Sequence, residues 1–70
     1  MFEKGDIITG KPGNGYGVTT NRAIMEVLSV SGKEIKVKVI DHKNPEYIGD
    51  SFLVTSKKFV LVDEIKGEVL

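Results

Sequence analysis

Cysteine and tryptophan are absent from this chain, and it has only two prolines and one histidine. Without cysteine there is no disulfide, no thiolate metal ligand and no cysteine nucleophile, which favours a reducing compartment and a cytoplasmic location. The single histidine, His42, does not supply enough ligands for a closed metal site. It also has no nucleophile beside it in the sequence for acyl transfer. No cofactor motif and no paired carboxylates stand out, so the sequence predicts a non-enzymatic protein without cofactor or metal.

Long apolar runs and a net charge are also lacking. No segment approaches the roughly 18 apolar residues of a membrane span, and the first residues, "MFEKGDII", do not resemble a signal peptide. Ten basic side chains balance ten acidic ones, so no overall field attracts nucleic acid. Charge is uneven locally: residues 11–40 carry five basic and two acidic side chains, whereas residues 61–70 sum to −2. We expect no membrane contact, and nucleic acid is the less favoured partner.

What the chain does contain is a series of short extended segments. "IKVKVI" alternates cleanly, with Ile35, Val37 and Val39 on one side and Lys36 and Lys38 on the other, which is typical of a half-buried strand. The segment before it, "AIMEVLSV", is rich in β-branched residues and is followed by the turn "SGKE". Residues 22–31 and 34–40 are therefore predicted to form a hairpin.

The first arm of this hairpin is apolar on both faces. In a regular strand Met25 and Val27 would point to one face, and Ile24, Leu28 and Val30 to the other. One register therefore cannot bury them all without a bulge. We predict that Met25 and Val27 point inward, that a bulge follows, and that Val30 then points inward. Ile24 and Leu28 are either covered by a loop or left for contact with another chain.

Three further strands surround the hairpin in this interpretation. "GDIIT" places Ile8 inward, "SFLV" places Phe52 and Val54 on one face, and "FVLV" does the same for Phe59 and Leu61. "TSKK", between the last two, suits a single 3₁₀ turn. The sequence thus predicts an all-β protein of one domain: a small five-stranded antiparallel barrel over residues 1–62, and a tail, residues 63–70, that frays or forms a short edge strand.

The segments "KGDII", "YGVTTN", "MEVLSVSGKEIKVKVI" and "FLVTSKKFVLV" together resemble small Src-homology-3-like (SH3-like) barrel domains of bacteriophage and prophage proteins, mostly of unassigned function. The resemblance spans about residues 4–62 and implies an SH3-like barrel in a bacterial host cell. Members of this fold that bind proline-rich peptides carry an acidic first loop and paired aromatics that include tryptophan. Here the matching loop is glycine-rich, holds Lys11 and no acid, so proline-rich recognition is not expected.

Two long connections are the candidate binding segments. The first loop (residues 10–21) contains Gly10, Gly13, Gly15 and Gly17, but lacks the spacing and the following helix of a phosphate-binding loop, so its glycines are predicted to serve tight turns. The second loop (residues 41–50) holds the histidine and Pro45, and its Tyr47 and Ile48 are predicted to cover the core. A scaffold with long loops and no catalytic set favours protein binding through both loops. The candidate contacts are Lys11, Asn14, Tyr16, His42 and Tyr47.

The lysines support the alternative of weak nucleic-acid binding. Lysines on the outer face of a strand usually serve solubility. The second interpretation is that these lysines contact the phosphates of a nucleic acid. Its candidate residues are Arg22, Lys36, Lys38, Lys57 and Lys58. A third interpretation is an accessory subunit of an enzyme complex that supplies no catalytic residue. The protein partner is unidentified, and the chain is expected to be a monomer or a weak homodimer.

Overall fold

The structure, a computed structural model, describes residues 2–11, 13–17, 20 and 23–62. It is all-β, with a single antiparallel sheet in the order β4-β3-β2-β1-β5, which confirms the predicted class and strand number. The strands are β1 (Ile7–Gly10), β2 (Ile24–Ser31), β3 (Glu34–Asp41), β4 (Ser51–Thr55) and β5 (Phe59–Leu61). Two 3₁₀ turns, Pro45–Tyr47 and Ser56–Lys58, interrupt the sheet, and the second is the turn predicted before the last strand. The predicted tail, residues 63–70, lies outside the described residues.

The β2–β3 hairpin is close to its predicted bounds. Ser31 pairs with Glu34, so the turn has two central residues, and Gly32 takes a φ of 62° at the first of them. A positive φ at that position matches the right-handed twist of the two strands, and glycine adopts it without steric cost. The local sequence "SGKE" therefore sets the register of the hairpin.

A bulge in β2 shifts its phase where the sequence predicted a shift. Val27 pairs with Val37, but Ser29 pairs with Lys36, so Leu28 is the extra residue. After the bulge Val30 lies opposite the buried Ile35, on the inward side of the sheet. Val30 nevertheless keeps 36% of its surface exposed, because it lies beside the hairpin turn near the end of β2, so its expected burial is only partial.

The core is formed by side chains from one face of the sheet. Its buried members are Ile8, Ala23, Met25, Val27, Ile35, Val37, Val39, Val54 and Phe59, and Phe2, Phe52 and Leu61 pack against them partly buried. Every inward residue predicted for β1 and β3 is in this cluster. Phe52 and Leu61 are only half-buried, whereas Val54 and Phe59 on the same two edge strands are buried.

The two edge strands must approach each other although no hydrogen-bond ladder joins them within the described ranges. A flat sheet of five strands would hold its edges about 19 Å apart. The turn Ser56–Lys58 connects β4 to β5 with three residues, which can span at most about 15 Å. The sheet is therefore strongly curved, and in the part of the chain described here it is not closed.

No helical segment among the residues with described positions is long and apolar enough to cross a membrane.

Candidate functional site

Both candidate loops leave the sheet at the same end. Thr9 pairs with Ile24, and Ile24 pairs with Asp41, so the end of β1, the start of β2 and the end of β3 lie side by side. β4 begins at Ser51, opposite Lys38 on the neighbouring strand. The first and second loops are therefore neighbours at their bases, which the sequence alone did not indicate.

Asn14 organises the described part of the first loop from inside. It is 7% exposed; its Oδ1 accepts a hydrogen bond from the Tyr16 amide at 2.8 Å, and its Nδ2 donates to Thr20 Oγ1 at 3.2 Å. The bond to the residue two positions on is an Asx turn, which explains why the Asn14-Gly15 pair bends the chain. The Thr20 hydroxyl in turn lies 3.5 Å from the Gly17 carbonyl, to which it donates. The Asn14 side chain is thus engaged within the loop rather than presented to solvent.

Gly10 has a role different from the turn expected of it. It is the last residue of β1 and does not take a positive φ, unlike Gly13, Gly15 and Gly17. A Cβ added at Gly10 would collide with the Asn14 Nδ2 and would lie 2.6 Å from the Thr20 carbonyl oxygen. Gly10 is therefore required because the returning loop packs directly on its α-carbon.

Tyr16 connects the first loop to both edge strands. Its hydroxyl oxygen accepts a hydrogen bond from the Thr55 amide at the end of β4, at 2.9 Å. Its ring packs against the Phe59 ring at the start of β5, with a centroid distance of 5.7 Å and a tilt of 39°. Tyr16 is still 39% exposed, so one side of the ring is available for contact. The residue anchors the loop and presents an aromatic surface at the same time.

Hydrogen bonding also changes the acidity of this phenol. The Thr55 side chain, followed by the Thr55 amide, lowers the pKa of Tyr16 below its usual value, because both bonds favour the phenolate. The positive charge of Lys58 lowers the pKa further, while desolvation and Glu34 oppose the shift. Lys58 and Glu34 are therefore the charges that most affect the Tyr16 hydroxyl.

The second loop is held by its own side chains. Asn44 caps the turn Pro45–Tyr47, with its Oδ1 accepting from the Glu46 amide at 3.1 Å. His42 Nδ1 accepts from the Asn44 amide at 2.8 Å, and the His42 ring meets the Tyr47 ring edge-on at a centroid distance of 4.8 Å. His42 and Tyr47 thus form one aromatic pair, half-buried at the surface of the loop.

The expectation that Tyr47 and Ile48 cover the core is wrong for Ile48. The Ile48 side chain is 45% exposed, and no residue of the turn Pro45–Tyr47 is buried. The cause is local: the Ile48 and Gly49 amides bond to Pro45 and Val39 carbonyls, which holds the backbone in a tight turn at the surface. Ile48 therefore adds an exposed apolar side chain to this loop.

The candidate lysines fall into two groups. The Lys11 amide donates to the Lys58 carbonyl at 3.0 Å, which places Lys11 beside Lys57 and Lys58, all exposed. Lys36 and Lys38 lie on the outward face of β3. There Lys38 is opposite Glu26 and Ser51, and Lys36 is opposite Ser29 and Leu53. Arg22 lies outside the described residues.

No metal-binding constellation appears in the part of the chain that can be described. No group of three or more His, Cys, Asp or Glu side chains there is placed to hold a metal ion. Every buried side-chain nitrogen and oxygen among those same residues has a hydrogen-bond partner. The buried polar side chains among these residues are thus already engaged within the protein.

A comparison of this chain with models of protein families, with curated proteins and with solved structures found no match.

Two residues important for this site were not identified from the sequence. Thr20 is 2% exposed and its hydroxyl accepts a hydrogen bond from Asn14 within the first loop, and Thr55 donates to Tyr16 from 39 positions away. An asparagine followed by glycine, as in Asn14-Gly15, is a local signal for such a turn. No local signal announces the Thr55 contact, since it depends on how the sheet curves.

Proposed function

We propose that this protein is a non-enzymatic interaction module that binds a protein partner through the first and second loops. The observation that carries the proposal is that both loops leave one end of the sheet. Binding function commonly lies on loops that a rigid scaffold positions. The exposed parts of Tyr16 and Ile48, at 39% and 45%, supply aromatic and aliphatic contact area.

Internal hydrogen bonds support this proposal because they reduce the entropy lost on binding. Asn14 holds the described part of the first loop, and Asn44 holds the second loop. Ordering a mobile side chain at an interface costs about 0.5–1.5 kcal/mol, so loops that are ordered in advance keep more of their contact energy.

The finer fold assignment is also a proposal. We propose an SH3-like barrel, encoded by a bacteriophage or prophage and acting in the bacterial cytoplasm. Its support is the resemblance of residues 4–62, the neighbouring position of β5 and β1, and the three-residue connection that brings β4 towards β5. A solution structure in which the start of β5 lies against the end of β4, so that the curved sheet encloses one core while the outer edge at Ser51 and Leu53 stays unpaired, would establish the barrel.

The partner is best sought by affinity capture from bacterial extracts, followed by amide chemical-shift mapping with the purified candidate. We expect shifts at residues 13–17 and 42–50. Ile48→Lys and Lys11→Glu should weaken binding, because both side chains are exposed on the loops. Lys36→Glu is the matched control, since it changes an exposed charge on the outward face of β3. Shifts confined to Lys36 and Lys38, with silent loops, would contradict the proposal.

A second candidate function is weak nucleic-acid binding by Lys11, Lys57 and Lys58. It is favoured by the backbone contact that places these three lysines together. Fluorescence anisotropy with single- and double-stranded DNA should then show affinity that falls steeply as salt rises. Lys57→Glu with Lys58→Glu should abolish it, whereas no binding even at low salt would remove this candidate.

A further inference from the structure

Among the residues that the structure describes, β4 is an edge strand that lacks the usual protection of such strands. Its sequence "SFLVT" contains no charged residue and no proline, the features that commonly prevent edge pairing. Leu53, at its centre, is 68% exposed, well above the other exposed large apolar side chains. The strand is therefore open to pairing with another extended segment.

The backbone groups of β4 alternate between the neighbouring strand and the open edge. The Ser56 amide bonds to the Lys33 carbonyl, and the Asp50 carbonyl accepts from the Val39 amide, at the two ends of the β3–β4 ladder. Bonded pairs alternate along an antiparallel ladder, so Phe52 and Val54 also bond to β3. The amides and carbonyls of Ser51, Leu53 and Thr55 consequently point to the open edge.

Tyr16 closes one end of this edge. The Thr55 amide, which points outward, donates to the Tyr16 hydroxyl at 2.9 Å. A pairing strand can therefore use the outward groups of Ser51 and Leu53 but meets the Tyr16 side chain at Thr55. Tyr16 thus limits both the length and the register of any added strand.

The charges at the two ends of β4 have opposite sign. The second loop, which precedes the strand, carries three acidic side chains and one lysine, a sum of −2. Four charged residues lie near its other end. Lys57 and Lys58 follow the strand, the Lys33 carbonyl accepts a hydrogen bond from the Ser56 amide, and Glu34 is next to Lys33. Their formal charges sum to +2. A second copy running antiparallel brings each acidic end to a basic end, whereas a parallel copy would place like charges together.

From these observations we propose that β4 pairs with β4 of a second copy of this chain in an antiparallel, two-fold symmetric arrangement. Ser51 of each copy exchanges backbone hydrogen bonds with Leu53 of the other, and the two Phe52 residues face each other at the centre. In this register the outward backbone groups of Ser51 and Leu53 are paired, and the pairing ends before Thr55, whose amide is bonded to Tyr16. The two sheets become one, and the exposed Leu53 of each copy is partly covered.

The dimer is weak because its interface is small. A stable interface buries about 800 Å² on each partner, more than one edge strand of five residues supplies. We expect a dissociation constant on the order of 0.1–1 mM. Association is therefore measured by NMR and sedimentation over a range of concentrations.

The first test is amide hydrogen exchange against protein concentration. Exchange at Ser51 and Leu53 should slow as concentration rises, while Phe52, Val54 and Thr55 remain protected throughout by β3 and Tyr16. Leu53→Lys should remove the concentration dependence. Ile7→Lys, the same change at a 38% exposed position on β1, should leave it unchanged. Concentration-independent exchange at Ser51 and Leu53, or equal association of wild type and Leu53→Lys, would overturn the proposal.

The second test changes the charge at one end of β4 at a time. Asp50→Lys alone, and Lys57→Glu with Lys58→Glu alone, should each self-associate less than the wild type. An equimolar mixture of the two variants should associate more strongly than either, by roughly two- to tenfold, since the unaltered basic end of the first variant then meets the unaltered acidic end of the second. A mixture no stronger than its components would exclude antiparallel pairing. Retained dispersion of amide shifts shows that the variants are folded.

Discussion

Replacing Tyr16 tests whether one side chain of the first loop holds both edge strands. Tyr16→Phe removes the acceptor of the Thr55 amide but keeps the ring on Phe59. Tyr16→Ala removes both contacts. The two variants therefore separate the hydrogen bond from the aromatic packing.

The expected costs follow from the two contacts. A hydrogen bond of this kind contributes about 0.5–1.5 kcal/mol to the free energy of unfolding, and the exposed Thr55 amide regains water when the bond is lost. We therefore expect a loss of about 1 kcal/mol for Tyr16→Phe. The ring pair contributes about 0.5–1.5 kcal/mol beyond its buried area, so Tyr16→Ala should cost about 2–4 kcal/mol.

Urea denaturation followed by far-ultraviolet circular dichroism measures these losses. For a domain of this size, 1 kcal/mol corresponds to about 4–8 °C in the midpoint of thermal unfolding. Tyr47→Phe is the matched control, because it removes the other tyrosine hydroxyl while keeping a ring against His42. We expect that control within about 0.5 kcal/mol of the wild type. If Tyr16→Ala were equally harmless, Tyr16 would not join the loop to the sheet.

Three other substitutions probe separate parts of the account. Gly10→Ala should destabilise by about 2 kcal/mol or more in urea unfolding, since the added methyl collides with the returning loop; a loss below about 0.5 kcal/mol would refute that packing. Met25→Ala, at a fully buried position, should cost about 2–5 kcal/mol by the same assay, and a near-neutral result would place Met25 outside the core. In a Tyr47→Phe background Tyr16 is the only tyrosine, and ultraviolet titration should give a pKa below the usual value. Thr55→Val should raise that pKa, because it removes the largest cause of the shift, and an unchanged titration would contradict the assigned cause.

The lowered pKa also gives a direction for stability against pH. The folded chain favours the phenolate more than the unfolded chain does, so ionisation of Tyr16 stabilises the fold. This contribution grows as pH rises through the folded pKa and is complete above the unfolded value near 10. It is lost as pH falls below the folded pKa, and Tyr16→Phe should remove the dependence.

Local patterns predicted β3 best, because that strand has one buried and one exposed face. Ile35, Val37 and Val39 alternate with lysines, and burial follows the alternation. The bulge at Leu28 was predictable for the same reason, since only a change of phase could place both Val27 and Val30 on the inward side. Period-two patterning carries this information within a few residues.

Contacts between distant segments were not predictable in this way. The bond between Tyr16 and Thr55 crosses 39 positions and depends on the curvature of the sheet. The exposure of Ile48 depends on backbone bonds to Pro45 and Val39 that its apolar side chain does not indicate. Hydrophobicity alone therefore placed Ile48 in the wrong environment.

The most direct test of the account is a nuclear Overhauser spectrum of the Tyr16 ring, because the placement of the first loop depends on that side chain. We predict cross-peaks from the Tyr16 ring protons to the Phe59 ring and to the Thr55 amide proton. A spectrum in which the Tyr16 ring contacts only its neighbours in the chain would contradict the account.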